Sequence, residues 1–141
     1  MSKGRVLIGV FGMDQHENGA FAAATILRDA GMEVVYAGRF NTPGTLARVA
    51  LEEDVDVIGV SCHSWEYLDY TPELLRLLKA EGLDAAVVLG GSVITPADRE
   101  AMKKLGVSAV FGPGTTPQAV VTTFAALIAA RREAGARPGV G

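Results

Sequence analysis

Asp14 and His16 stand one residue apart, with Gly19 three positions further on, in the segment Phe11-Gly12-Met13-Asp14-Gln15-His16-Glu17-Asn18-Gly19. A neutral imidazole is a metal donor near neutral pH. A carboxylate that accepts its second ring N–H fixes the tautomer and raises the basicity of the ligating nitrogen. The chain offers only His16, His63 and Cys62 as imidazole or thiolate donors, and the last two are adjacent. A structural zinc site wants four such ligands and is a poor fit. One exposed imidazole suffices where a macrocycle fills the other metal positions, as in axial ligation to a tetrapyrrole. Asp14 has a second possible role, as the cap of the helix that follows.

The elements that must position these residues follow from hydrophobic pattern. Strand-length apolar runs at Arg5–Phe11, Glu33–Ala37, Val57–Ser61, Ala85–Leu89 and Ala109–Phe111 alternate with helix-like segments at Ala20–Ala30, Thr45–Glu53, Glu73–Glu81, Ala97–Leu105 and Gln118–Arg132. Val57-Ile58-Gly59-Val60 and Ala86-Val87-Val88-Leu89 are apolar without alternation, the pattern of strands covered on both faces. Thr42-Pro43, Thr71-Pro72, Thr95-Pro96 and Thr116-Pro117 each set a capping hydroxyl before a proline suited to a first helical turn. Gly31, Gly82 and Gly106 stand where helices should end.

Five βα units predict an α/β fold of flavodoxin-like (Rossmann-like) type: a five-stranded parallel sheet in the order 2-1-3-4-5 with helices on both faces. In that order the carboxyl ends of strands one and three flank a crevice. The loops beginning at Gly12 and Ser61 should face each other, with Gly90-Gly91-Ser92 beside them.

With 141 residues, 49% of them hydrophobic, the chain suits one domain, expected over residues 1–135. From Arg131 the sequence turns polar and rich in Gly and Pro, so a frayed end is expected, with 136–141 a flexible tail. A net charge of -3 gives no basic footprint for nucleic acid or for an anionic membrane surface. No apolar stretch reaches membrane-spanning length and no signal peptide opens the chain, so a cytoplasmic protein is expected. Cys62 is the only cysteine; it reads as a small buried hydrophobe beside a strand end.

Four motifs on successive strand ends carry a family resemblance: Asp14-x-His16-x-x-Gly19, Ser61 after Val57-Ile58-Gly59-Val60, Gly90-Gly91, and Phe111-Gly112-Pro113-Gly114-Thr115. Over nearly its whole length the chain resembles the cobalamin-binding domain of carbon-skeleton mutases. The similarity is strongest to the separate small subunits of methylmalonyl-CoA-mutase-like acyl-CoA mutases. The resemblance implies adenosylcobalamin bound base-off and His-on. His16 would be the axial ligand to cobalt, Asp14 its partner, and Gln15, Glu17, Asn18 and Gly19 the rest of the contacting loop. By the same resemblance Ser61 would hydrogen-bond the base of the displaced nucleotide tail. Gly90, Gly91 and Ser92 would leave the tail room, and Gly114 and Thr115 would close its far end. It implies an isomerase subunit that is not catalytic alone and needs a large TIM-barrel subunit to bind the acyl-CoA.

The chain departs from the acyl-CoA mutase pattern at Gln15, Glu17 and Asn18, and at His63, where Leu usually stands. A non-glycine residue between Asp14 and His16 is similar to glutamate mutase small subunits. His63 either lines the nucleotide slot in place of that Leu or faces solvent. Trp65 and Tyr67 either pack on the cofactor, present a partner-facing patch, or pack beneath their own loop. Ser61, Gly90 and Gly91 could also be ordinary turn residues. Two other functions compete. A corrinoid carrier or sensor would bring a helical bundle or a signalling domain, and only Met1–Gly4 precede the first strand. A cofactor-free, response-regulator-like domain would cluster acidic residues at the strand ends.

Overall fold

A computed structural model of the chain describes residues 3–11 and 18–136. Strands and helices alternate along it: β1 (Arg5–Phe11), α1 (Asn18–Asp29), β2 (Glu33–Asn41), α2 (Pro43–Glu53), β3 (Val57–Ser61), α3 (Tyr67–Ala80), β4 (Ala86–Gly90), α4 (Pro96–Leu105), β5 (Ala109–Phe111) and α5 (Pro117–Ala136). The strands form one parallel sheet in the order β2-β1-β3-β4-β5, the flavodoxin-like order expected from the pattern.

Alternate residues of a strand point to opposite faces, so an apolar run without alternation feeds two cores. Val6, Ile8, Val10, Val57 and Val88 pack on one face with Ala20, Ala24, Leu27, Phe124 and Ile128 of α1 and α5. On the other face Leu7, Phe11, Ile58, Val60, Val87 and Leu89 pack with Leu46, Ala50, Leu74, Leu78 and Met102 of α2, α3 and α4. Register does the rest. Val10 is paired with Ser61, Ser61 with Gly90 and Gly90 with Phe111, which lines up four strand ends in one row.

Three of the four Thr-Pro pairs start helices. The Thr42 hydroxyl accepts from the Thr45 amide and the Thr45 hydroxyl from the Thr42 amide, a reciprocal cap. Thr95 accepts from the Asp98 amide and Thr116 from the Ala119 amide. Thr71-Pro72 does not start a helix: α3 begins at Tyr67 and Pro72 lies inside it. Tyr67, Thr71, Leu74 and Leu78 form one buried stripe at helical spacing. Burial of that stripe outweighs the missing proline N–H. At the other helix ends Gly31, Gly82 and Gly106 have φ of 96°, 72° and 122°, the left-handed geometry that glycine adopts without strain.

Two segments extend past expectation. β2 continues beyond Ala37 to Asn41 across a register shift, with Gly38 and Phe40 at positive φ. The buried Asn41 amide holds this bulge by donating to the Val10 and Gly38 carbonyls at 3.2 and 2.8 Å. α5 runs through Ala136, four residues past the expected Arg132, and 137–141 of the expected tail lie outside the described residues. Arg131 bonds Asp84, Asp56 and Asp54 at 2.7, 2.9 and 3.1 Å. Asp56, whose side chain is 4% exposed, also accepts from the Arg5 amide at 2.9 Å and pairs with Arg132. Burial works against its charge, but the Arg5 amide and the two guanidiniums outweigh it and hold the carboxyl below its ordinary pKa. This cluster ties α5 to the strand starts, at the end of the sheet away from the row of Ser61 and Gly90. No described helix is long and apolar enough to cross a membrane.

Candidate functional site

A cavity of about 320 Å³ opens at the carboxyl ends of β3, β4 and β5 and runs down between the sheet and helices α1 and α5. Its floor is Ile8, Gly59 and Val88, its sides Gly19, Ala20 and Ala23 of α1 and Val120 and Phe124 of α5, with Phe111 across from them. The polar groups sit near the mouth, where Ser61, His63, Ser92 and Thr115 meet Gly90, Gly91, Gly112 and Pro113. An apolar trench with a few convergent polar groups at one end is the usual form of a site for a small organic ligand.

Space in the trench comes from missing side chains. A Cβ on Gly59 would stand 2.8 Å from Ile8 Cδ1 and 3.1 Å from Phe124 Cζ. Gly91 has φ of 154°, and a Cβ there would run into the carbonyl oxygen of Cys62. The approach is tight because the strand ends are stitched together: the Cys62 amide donates to the Gly90 carbonyl at 2.7 Å and the Gly91 amide to the Phe111 carbonyl at 3.2 Å. On the opposite wall a Cβ on Gly19 would lie 3.6 Å from Ser61 Oγ and 3.7 Å from His63 Nε2, so the first turn of α1 directly faces that pair. Ser61 Oγ and His63 Nε2 are themselves hydrogen-bonded at 2.9 Å.

Gly19, Ser61, His63, Gly90, Gly91, Ser92 and Thr115 converge on one trench, and for Ser61 and Gly90 to Ser92 the strand order had placed their loops side by side. His63 lines it. Asn18 and Gly114 do not; Thr115 turns its hydroxyl back to the Gly112 carbonyl at 2.7 Å and closes the turn on which Gly114 sits. Asp14, Gln15, His16 and Glu17 lie outside the described residues. Among the described residues no group of three or more His, Cys, Asp or Glu is placed to hold a metal ion. Cys62 is buried, at 2% exposure, as expected of a small hydrophobe.

The two aromatics of the next loop divide. Tyr67 is fully buried and its hydroxyl donates to Asp98 Oδ2 at 3.0 Å, whereas Trp65 is 58% exposed. Burial first, and then the Asp98 carboxylate, push the Tyr67 hydroxyl pKa well above its ordinary range. Tyr67 thus pins the loop after Ser61 onto α4 and packs beneath its own loop. Gly59, Gly112, Phe111 and Phe124 were not singled out as site residues from the sequence. A glycine inside an apolar strand run is a signal of close approach that would have found Gly59; nothing local marks Phe124.

Fold and trench together define a flavodoxin-like α/β domain built to bind a small organic ligand. The B12 binding domain family matches residues 4–122, and the chain belongs to that family. It is 41% identical over 127 residues to the 2-hydroxyisobutanoyl-CoA mutase small subunit of Aquincola tertiaricarbonis, covering 90% of this chain and 93% of that one. It is 40% identical over 123 residues to the pivalyl-CoA mutase small subunit of Xanthobacter autotrophicus, covering 87% and 82%. A cobalamin-binding protein from Desulfitobacterium hafniense has the same fold, with a TM-score of 0.74 at 22% identity, over 88% of this chain and 58% of that chain.

The residues present fit the family's cofactor. At about 320 Å³ the trench is near the lower limit of small-molecule sites. The Cβ-free wall at Gly59 and Gly90 is what an extended ligand against the strand ends requires.

Proposed function

We propose that this chain is the cobalamin-binding small subunit of a two-component, adenosylcobalamin-dependent acyl-CoA mutase. The observation that carries the reading is the glycine-walled trench ending at Ser61, in a chain that matches mutase small subunits over almost their full length. Adenosylcobalamin, when bound, supplies radical chemistry through a cobalt–carbon bond that breaks homolytically.

What this chain contributes is binding and orientation. His16 would hold cobalt, and Asp14 would accept its second ring N–H and so set the tautomer. Gln15, Glu17, Asn18 and Gly19 would be the rest of the contacting loop. The trench would take the nucleotide tail: Ile8, Val88 and Phe124 would cover its apolar faces, Ser61 would bond its base, and Gly114 and Thr115 would close its far end. With the tail held there, cobalt would be left to His16. The acyl-CoA pocket belongs to a large TIM-barrel subunit, and the relatives' names point to branched acyl-CoA thioesters as the substrate class.

Mixing the purified protein with hydroxocobalamin should produce the base-off, His-on spectrum, and His16→Ala should abolish it. An unchanged spectrum and affinity in His16→Ala would sink the axial-ligand assignment. Methyl transfer by the chain without a large subunit would decide for a corrinoid carrier instead.

A further inference from the structure

We propose that His63 is the positioning residue that aims the Ser61 hydroxyl into the trench, and that the pair selects corrinoids whose tail base presents an unprotonated ring nitrogen. The proposal rests on the trench taking the nucleotide tail. Ser61 closes β3 and His63 follows two residues later; both are half-buried, and Ser61 Oγ and His63 Nε2 are 2.9 Å apart. Both face the Cβ-free start of α1 at Gly19, so no side chain from that residue separates them from a ligand.

A serine hydroxyl has one proton to give, and a neutral imidazole donates from one nitrogen only. If Ser61 gave its proton to Nε2, it would meet the trench with lone pairs alone. If His63 carries its proton on Nε2 and donates to Ser61 Oγ, the serine proton is released toward the ligand. A benzimidazole-type base that has left cobalt exposes a ring-nitrogen lone pair, and the lower trench walls, Ile8, Val88, Phe111 and Phe124, have no side-chain donor for it. The ligand therefore needs the second arrangement. A Leu at this position would leave Ser61 free to rotate; His63 removes that freedom in advance of binding.

The test compares cobalamin with cobinamide, the corrinoid without a nucleotide tail, on the wild-type chain and on His63→Leu, His63→Gln, Ser61→Ala and the His63→Leu/Ser61→Ala double variant. His63→Leu should weaken cobalamin about tenfold, the worth of one good buried hydrogen bond, and leave cobinamide unchanged. His63→Gln, which keeps an N–H donor, should recover most of the loss. The double variant should lose little more than either single one. In the wild-type complex, ¹⁵N NMR should find His63 with its proton on Nε2. Equal losses for both corrinoids, additive losses in the double variant, or an Nδ1-protonated His63 in the complex would overturn the proposal. A wild-type chain that binds cobalamin with its own base still on cobalt would overturn the trench reading itself, and this proposal with it.

Discussion

The Cα of Gly91 faces the backbone of Cys62 so closely that a side chain of any size on Gly91 would collide with the Cys62 carbonyl. The neighbour is backbone, tied by the Cys62 amide to the Gly90 carbonyl, and cannot swing aside. Gly91 also has φ of 154°, where an L side chain is strained. Gly91→Ala should destabilise the domain by about 2 kcal/mol or more. Thermal melting should show a fall of several degrees, and cobalamin binding should be lost with it.

Gly59 offers the opposite case. Its neighbours, Ile8 Cδ1 and Phe124 Cζ at 2.8 and 3.1 Å from a built Cβ, are ends of side chains that can move. Gly59→Ala should cost only about 1 kcal/mol in stability but push Phe124 toward the trench. Cobalamin affinity should fall at least about tenfold while the melting temperature moves by only a few degrees, and titration of both quantities on one preparation checks the separation.

The Asp56 cluster predicts the acid limit of the fold. Its carboxyl is held below its ordinary pKa in the folded state, so its contribution is fully present above about pH 4, the unfolded carboxylate value, and is lost as pH falls through the lower folded value. Asp56→Asn puts a neutral side chain at a nearly buried position between two guanidiniums, with Asp84 and Asp54 still on Arg131. It should lose about 3 kcal/mol at pH 7 and show a shallower decline in urea stability below pH 4 than the wild type.

Thr71 is fully buried in α3 and its hydroxyl oxygen finds no hydrogen-bond partner among the described residues. Thr71→Val keeps the shape and removes the unsatisfied group. Stability should rise by about 1 kcal/mol, seen as a melting temperature a few degrees higher with unchanged cobalamin binding.

Much of this architecture is legible before folding is considered. Uninterrupted Val and Ile runs require cover on both faces, and three Thr-Pro pairs and three glycines punctuate the helices because caps are local chemistry. Where a nonlocal effect competed, local reading failed. Thr71-Pro72 looks like a helix start, yet a buried stripe anchored by Tyr67 carries α3 across it. Arg131 ends the apolar run of α5 with no local sign of a partner, yet three aspartates distant in sequence hold it. The bulge at Gly38 to Asn41 is invisible in β2 alone, because the carbonyl that helps to hold it there, that of Val10, belongs to β1.

By itself, the sequence determined the succession of five βα units and the residue types at each strand end, since periodicity and turn chemistry act over a few neighbours. It also contained His63, without deciding where that imidazole goes. Only the tertiary structure decided which strand ends share a ligand. Parallel register sets Ser61 beside Gly90 and Gly90 beside Phe111. The packing of α1 and α5 on one face then turns that row into a trench with Gly59 and Phe124 in its depth. A cavity is a property of surfaces that meet, and no single segment of this chain encodes both of its walls.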